Sequence, residues 1–239
     1  MLSEESLELI VQDHLAELEW QAGHGPDFAP GSGERDTWND IVLRGRLRNA
    51  VRNLNPDVPE EYLDQAIGEV ITPKSQSAIA ENRRIHQILV EGYRGIEYID
   101  HEGNFQNPTI NFLSSHPHKN DYLSLNQVTI ANLDGERRFD VVCYVNGMPL
   151  AFIELKKTGA NTSVEGAYNQ LQTYVKEFGM AFRFANIVIP SDDLSAKYGT
   201  PFTPWNHFAP WNVDEDGSPV DPNNMVVAGE PVTQLDLLL

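Results

Sequence analysis

The stretch 139–157, FDVVCYVNGMPLAFIELKK, constrains the fold more than any other part of the chain. Two apolar runs flank an Asn-Gly pair, which is a signal for a β-hairpin with a tight turn. Three charged residues interrupt this pattern: Asp140 opens the first run, and Glu154 and Lys156 lie in the second. The hairpin is therefore either a structural element with a charged edge or a metal site carried by two strands.

Apolar periodicity on both sides of the hairpin predicts the remaining elements. Helices are expected at 3–20, about 38–54, 59–71, 75–91 and 163–178. Strands are expected within 93–100, 109–113, 121–130 and 186–190. Glycine and proline indicate a loop at 21–37, and the residues from 199 onward show little periodicity.

This order of helices, neighbouring strands, a helix and a strand predicts an α/β (α+β) fold with a mixed central β-sheet flanked by helices. We expect a single domain over 1–239, divided into a mainly helical part at 1–92, the sheet and its following helix at 93–190, and an irregular tail at 191–239. No G-x-x-x-x-G-K-[ST] or G-x-G-x-x-G motif occurs, so the chain has no recognisable nucleotide motor.

The formal net charge of the chain is −18, from 17 basic and 35 acidic residues. Binding to nucleic acid is driven by Lys and Arg that displace counterions from phosphates, so this chain is not expected to bind DNA unaided. The local exception is a stripe at helical spacing formed by Arg44, Arg48 and Arg52. The stripe is either a solvated helix face paired with nearby acids or a surface that faces phosphates.

Three further features bear on the compartment. No run of 18 apolar residues is present, so no membrane span or membrane partner is expected. The N-terminal MLSEESLELI is acidic and amphipathic, unlike a secretory signal. The single cysteine, Cys143, lies in a predicted strand, forms no internal disulfide and fits a reducing compartment. The cytoplasm is the expected location.

The turn of the hairpin decides whether its charged residues meet. Residues two apart in a strand share a face, so Glu154 and Lys156 point the same way. A two-residue turn at Asn146-Gly147 pairs residue 140 with 153 and leaves Asp140 on the face opposite Glu154. A three-residue turn or one β-bulge pairs 140 with 154 instead. A shared metal site therefore predicts a bulge, a longer turn or strands that splay at Asp140.

Two carboxylates and a lysine on one face suit the hydrolysis of a phosphodiester. Carboxylate oxygens are hard ligands for Mg²⁺, which takes one or two of them and keeps several waters. The cation stabilises charge on the scissile phosphate and makes water more acidic, while an ammonium can orient that water. The spacing D-x13-E-x-K is loose, however, and an exposed Glu-Lys strand end with Asp140 in a turn also fits it. The apolar neighbours of Glu154 favour the site, because charges among them are costly unless they serve a purpose.

The segment 137–157, RRFDVVCYVNGMPLAFIELKK, resembles the R-P-D-[IV]-V-x-[FY]-V-N-G-x-P-L-x-x-x-E-[LF]-K block in the restriction (R) subunits of type I restriction–modification enzymes. Similarity to this family extends along nearly the whole chain, through 34–47 (ERDTWNDIVLRGRL), 81–92 (ENRRIHQILVEG), 125–130 (LNQVTI), 167–174 (AYNQLQTY) and 205–211 (WNHFAPW). R subunits carry an N-terminal PD-(D/E)xK nuclease domain, so the resemblance implies a restriction-endonuclease-like, RecB-type core.

By this resemblance, Asp140 and Glu154 are expected to bind Mg²⁺ and Lys156 to be the catalytic lysine. The backbone carbonyl of Leu155 commonly completes such a coordination shell. Phe139 stands where the family has proline, a change that affects the entry of the strand but removes no chemical group.

Three further residues match positions of the family. Gln170 and Tyr174 match the Q-x-x-x-Y motif of RecB-like cores, and their i,i+4 spacing lets both face the site from the following helix. The alternative is a surface glutamine and a half-buried core tyrosine. Glu8 best matches an acidic residue that the family places in its first helix near the metal, with a plain solvated glutamate as the alternative.

The resemblance also implies substrate and partners. Family members continue into an ATP-driven translocase, whereas this chain ends at residue 239, so we expect it to be the nuclease portion. Duplex DNA would be cut without local sequence choice, after delivery by the motor domain and by the modification and specificity subunits, and ATP would serve only the motor. The activity implied is that of a type I site-specific deoxyribonuclease. A non-catalytic assembly module and a free-standing nuclease are the alternatives.

Overall fold

The computed structural model of the chain describes residues 3–133, 135–157, 163–192, 194–214, 216–221, 225–227 and 229–238. The helices in these ranges are α1 (Glu4–Glu17), α2 (Arg44–Leu54), α3 (Glu60–Ile71), α4 (Ala78–Glu91), α5 (Val164–Glu177) and α6 (Gln234–Leu238). The strands are β1 (Gln21–His24), β2 (Tyr98–Ile99), β3 (Phe105–Gln106), β4 (Tyr122–Asn132), β5 (Gly135–Val145), β6 (Met148–Leu155), β7 (Ile187–Ser191), β8 (Lys197–Tyr198), β9 (Ala209–Pro210), β10 (Val226–Val227) and β11 (Glu230–Pro231).

Five strands form one mixed sheet in the order β1-β4-β5-β6-β7. The central strands β4, β5 and β6 are antiparallel neighbours, while β1 pairs parallel with β4 and β7 pairs parallel with β6 at the two edges. Helix α1 packs on one face of this sheet and α5 on the other. The predicted fold class, a mixed central sheet flanked by helices, is confirmed, and it is consistent with a restriction-endonuclease-like domain.

Each face of the sheet is covered by its own apolar cluster. On one face, Leu7 and Val11 of α1 pack with Val141 and Ile153. The opposite face carries the larger cluster, in which the ring of Phe139 lies 5.2 Å from that of Tyr174 and 5.1 Å from that of Phe152. The aromatic residue that replaces the family's proline is therefore a fully buried part of the core.

The first part of the segment predicted to be a loop, 21–37, is the edge strand β1, so the prediction was wrong there. Its sequence QAGH lacks the apolar alternation by which strands are recognised. The strand is held in the sheet by backbone pairing with β4, which this pattern does not reveal. Glycine permits the close approach that follows. A Cβ atom at Gly23 would lie 2.8 Å from Leu125 Cδ2, and one at Gly25 would lie 2.4 Å from the backbone oxygen of Gln127.

The second predicted helix begins at Arg44 rather than at about residue 38. Three consecutive residues before it, Ile41, Val42 and Leu43, are all buried, which a helix with one apolar face cannot achieve. The predicted strands at 93–100 and 109–113 are reduced to β2 and to an isolated bridge between Tyr93 and Ile110.

The tail beyond residue 191 contains short strands and α6 rather than an entirely irregular chain. Leu235 of α6 joins the apolar cluster of α1, and Phe208 is buried in the larger cluster on the other face. These two residues anchor the tail to the two apolar clusters of the sheet. No helix among the described residues has the length and apolar character needed to cross a membrane.

Candidate active site

The register of the β5–β6 hairpin brings the two carboxylates together. The turn itself has two residues, since Val145 pairs with Met148 and Tyr144 pairs with Pro149. The register then shifts, so that Cys143 pairs with Ala151 and Val141 pairs with Ile153. One step further along this register, Asp140 lies opposite Glu154 on the same side of the sheet. The bulge that a shared site required is present.

The hairpin strands also part at this point. Pairing between β5 and β6 ends at Val141 and Ile153, although β6 continues to Leu155. The backbone N–H of Leu155 donates a hydrogen bond of 2.7 Å to Oδ2 of Asp140. The aspartate side chain thus bridges the two strands, and its position is fixed by the backbone.

Glu154 and Lys156 form an ion pair beside Asp140. Nζ of Lys156 lies 3.2 Å from Oε1 of Glu154 and donates to the backbone carbonyl of Leu155 at 3.3 Å. A second carboxylate, that of Glu4 on α1, lies 4.0 Å from the same ammonium. Only 1% of the Glu154 side chain and 17% of the Lys156 side chain are exposed. The lysine is therefore held among acids at the end of β6.

The electrostatics of the site favour an added positive charge. Burial raises the pKa of Glu154 well above its ordinary value, and the Asp140 carboxylate raises it further. Burial also raises the pKa of Asp140, against the lowering effects of the Leu155 N–H and of Lys156. Two carboxylates that repel each other in a dry site bind protons or cations more tightly than carboxylates in water do.

Gln170 and Tyr174 lie on α5 beside the carboxylates. Nε2 of Gln170 donates a 2.5 Å hydrogen bond to the hydroxyl of Tyr174, as their i,i+4 spacing allows. Burial raises the pKa of Tyr174 to about 12, and the charge of Glu154 contributes in the same direction. The tyrosine hydroxyl is therefore close enough to the carboxylates to feel their charge, and it remains protonated.

Glu8 lies on α1 and is buried, unlike a solvated glutamate. Nδ2 of Asn126 donates a hydrogen bond of 3.2 Å to its Oε2, and the side chain of Gln127 is close enough to affect its pKa. Burial raises the pKa of Glu8, the polar side chain of Gln127 lowers it, and the charge of Asp140 raises it again. The Asp140 carboxylate is therefore within electrostatic reach of Glu8, which the structure places at the edge of the site.

Asn126 and Gln127 were not recognised as site residues from the sequence, although they belong to the segment 125–130 that resembles the family. Gln127 lies between the pairs Asn126–Val141 and Val128–Phe139, which places it opposite Asp140. Its φ of 54° is in the left-handed region, which a glutamine rarely adopts without a compensating contact. Residue types alone do not indicate this conformation, which accompanies the effect of the Gln127 side chain on the pKa of Glu8.

The donor groups fit a hard divalent cation. Among the described residues, no group of three or more His, Cys, Asp or Glu side chains is arranged as a metal site. The available donors are two carboxylates and the carbonyl of Leu155. Oε2 of Glu154 is buried without a hydrogen-bond partner among the described residues, a costly state for a carboxylate oxygen. A bound cation would satisfy this atom and offset the repulsion between Asp140 and Glu154.

The arginine stripe lies elsewhere. Helix α2 begins beside the hairpin turn, where the Leu43 N–H donates to the carbonyl of Gly147 at 2.9 Å. Asp140 is seven residues from that turn glycine along the hairpin, roughly 20 Å away for an extended strand. The structure therefore does not bring the stripe to the carboxylates.

Each arginine of the stripe contacts an acid. Nη2 of Arg44 lies 3.2 Å from Asp40, and Nε of Arg48 lies 2.7 Å from Asp64. Arg52 forms an ion pair with Glu60. These contacts are those of a solvated helix face paired with nearby acids. A phosphate-facing role for the stripe stays a prediction.

Comparison with known proteins relates the chain to type I restriction enzymes. The model of the family described as the type I restriction enzyme R protein N terminus matches residues 1–207. A type I restriction enzyme endonuclease subunit of Methanocaldococcus jannaschii, MjaIXP, is 27% identical over 237 residues, which is 94% of this chain and 23% of that protein. The HindI endonuclease subunit of Haemophilus influenzae is 28% identical over 221 residues, 90% of this chain and 21% of that protein.

The chain thus spans less than a quarter of the length of these two relatives. The family match, by contrast, covers most of the chain and includes the hairpin, α5 and α1. The chain belongs to the family of type I restriction enzyme R protein N-terminal regions.

Proposed function

We propose that this chain is the nuclease part of a type I restriction R subunit and that it hydrolyses phosphodiester bonds of duplex DNA in a Mg²⁺-dependent reaction. The observation that carries the proposal is the bulged register that sets Asp140 opposite Glu154, with Lys156 at 3.2 Å from the glutamate. The names of the relatives, which are endonuclease subunits of type I restriction enzymes, support the same reaction class.

Asp140 and Glu154 would hold the cation, together with the carbonyl of Leu155. When bound, Mg²⁺ supplies charge stabilisation at the scissile phosphate and a more acidic water. Glu8 is a candidate for an indirect ligand, because it is buried within electrostatic reach of Asp140. The hydrogen bond from the Leu155 N–H keeps the Asp140 carboxylate oriented before the substrate arrives.

Lys156 would act on the attacking water and on the phosphate. Its ammonium already contacts Glu154 and the Leu155 carbonyl, so it needs little reorganisation. An ammonium in this place orients the water and offsets negative charge that develops on the phosphate. Gln170 and Tyr174 would support the site from α5, with the tyrosine acting as a hydrogen-bond donor because its raised pKa keeps it neutral.

Delivery of DNA would belong to other parts of the enzyme. With a net charge of −18, the chain alone has little electrostatic attraction for a polyanion. We propose that the motor domain of the same subunit, which uses ATP, and the modification and specificity subunits bring the duplex to this site in the cytoplasm. Cleavage would then follow translocation and show no local sequence choice, because recognition lies in another subunit.

The test separates cleavage from translocation in the complete restriction complex. Glu154→Ala and Lys156→Ala should each lower DNA cleavage by at least about 100-fold while ATP-driven translocation continues. Glu165→Ala, an exposed acid at the start of α5, is the matched control and should cleave normally. Full cleavage by either site variant would favour the alternative, a non-catalytic module that only docks the motor and the partner subunits.

A further inference from the structure

Arg138 differs from its neighbour Arg137 in its contacts. The two arginines are adjacent on β5, directly before the carboxylate site. Nη2 of Arg137 lies 2.8 Å from Oε2 of Glu177 at the end of α5. Arg138 is exposed and makes no hydrogen bond or ion pair with any residue that the structure describes. One guanidinium is thus fixed to the fold, and the other has its donors available.

The free guanidinium lies at the edge of the proposed active site. Arg138 is two residues from Asp140 on the same strand, roughly 7 Å between Cα atoms, and it pairs with Thr129 of β4. Its positive charge opposes the burial effects that raise the pKa of Glu8 and of Asp140. Both carboxylates therefore lie within its electrostatic reach.

Arg138 is a positively charged side chain beside a cluster of acidic residues. The site contains Asp140, Glu154, Glu8 and Glu4, and the chain as a whole carries a net charge of −18. A DNA strand that places one phosphate at the carboxylates also places its neighbouring phosphates against this acidic surface. A guanidinium with free donors binds phosphate in a bidentate manner that other side chains cannot match.

We propose that Arg138 is a substrate-binding residue that contacts a backbone phosphate next to the scissile one. The inference rests on the proposed nuclease function and extends it with a specific contact to the DNA. Arg137, engaged with Glu177, has no such role. An alternative is that Arg138 only balances the charge of the nearby carboxylates and never touches the substrate.

The experiment uses the complete restriction complex and single-turnover cleavage of duplex DNA under Mg²⁺. Arg138→Ala should lower the cleavage rate constant roughly 10–100-fold and leave the translocation rate unchanged. Arg138→Lys should recover part of the loss, because it keeps the charge but not the bidentate geometry. Arg137→Ala is the matched control and should cleave within about twofold of the wild type.

Salt dependence distinguishes a phosphate contact from a structural role. The difference between wild type and Arg138→Ala should narrow as salt concentration rises, since a phosphate contact on an exposed arginine is screened. The melting temperatures of Arg138→Ala and Arg138→Lys should agree with that of the wild type, because the side chain of Arg138 is exposed. A loss of cleavage that is independent of salt and is not recovered by lysine would overturn the phosphate contact.

Failure of this inference can be told from failure of the proposed function. If Arg138→Ala cleaves like the wild type at low salt while Glu154→Ala is inactive, the nuclease assignment stands and the Arg138 contact is wrong. If Glu154→Ala itself cleaves normally, the nuclease assignment fails and the Arg138 proposal fails with it.

Discussion

The carboxylate of Glu154 is buried beside two charged neighbours. Asp140 raises its pKa and Lys156 lowers it. Its pKa is raised, so the folded protein holds a proton there more tightly than the unfolded chain does. An acid with a raised pKa stabilises the folded state while it is protonated. Its contribution to the free energy of unfolding is fully present below the ordinary glutamate pKa, and it is lost as the pH rises through the higher pKa of the folded state. Without a divalent cation, the site therefore opposes folding at neutral and alkaline pH.

This linkage predicts the effect of Glu154→Gln. Because glutamine keeps the shape and removes the charge, we expect the free energy of unfolding at pH 8 to rise by about 1–3 kcal/mol in the absence of divalent cations. The gain should shrink as the pH is lowered towards the ordinary glutamate pKa. Urea unfolding between pH 4 and pH 9 measures both effects. Glu165→Gln, on the exposed side of α5, should change stability by less than about 0.5 kcal/mol at every pH.

A second prediction at this scale concerns Cys143. The thiol is buried between α1 and the sheet, and burial raises its pKa to about 12. Because only the thiolate is reactive, we expect alkylation in the native state to be at least about 100-fold slower than in denaturant, where one equivalent should react. Fast labelling of the native protein would mean that α1 opens readily from the sheet.

At the scale of elements, helix α1 links the apolar core to the site. Leu7 is fully buried against the sheet, and the next residue, Glu8, is buried within electrostatic reach of Asp140. Leu9, on the opposite side of the same helix, is 52% exposed. The helix therefore has one face that holds the fold and, at its N-terminal half, carries acids to the end of β6.

The two leucines give a matched pair of variants. Leu7→Ala should lower the free energy of unfolding by about 2–5 kcal/mol, because it removes fully buried methyl groups and leaves a cavity. Leu9→Ala should change it by less than about 0.5 kcal/mol, since that side chain is largely in water. Denaturant titrations followed by circular dichroism provide the comparison. Equal effects of the two substitutions would show that α1 does not pack as described.

The hairpin shows how far the sequence predicts the site. Asn146 and Gly147 both adopt positive φ, as the Asn-Gly signal indicates, and the turn has the two residues expected of it. The requirement for a bulge followed from pairing arithmetic once Asp140 and Glu154 were assumed to meet. The position of the bulge at Leu150 could not be predicted. An extra residue anywhere in β6 between the turn and Ile153 would shift the register by the same one residue.

Two other features, one of the fold and one of the site, could not be predicted from the sequence for physical reasons. Strand β1 has a polar, glycine-containing sequence, and its place in the sheet comes from backbone pairing and close contacts that only the fold reveals. Gln127 faces Asp140 in a left-handed conformation that its residue type does not favour. Periodicity reports buried apolar faces, so it finds helices well and says little about edge strands and strained polar residues.

At the scale of the whole molecule, the net charge bears on how the proposed substrate would reach the site. The sheet has a large apolar core on one side and a smaller one under α1, as expected for a single domain. The strongly negative charge of the chain opposes a polyanionic substrate. The MjaIXP and HindI subunits are each more than four times as long as this chain. The negative charge is consistent with our proposal that other parts of the enzyme deliver DNA to the site.

The central claim is that Asp140 and Glu154 form one cation site, and a binding titration tests it most directly. Titrating the chain with Mn²⁺, followed by electron paramagnetic resonance of the free ion, should reveal a site whose affinity falls at least about tenfold in Asp140→Asn and in Glu154→Gln. Both variants must first unfold cooperatively at or above the melting temperature of the wild type. Glu165→Gln should bind like the wild type. Undiminished Mn²⁺ affinity in the Asp140→Asn/Glu154→Gln double variant would contradict the account, because no cation would then depend on the two carboxylates.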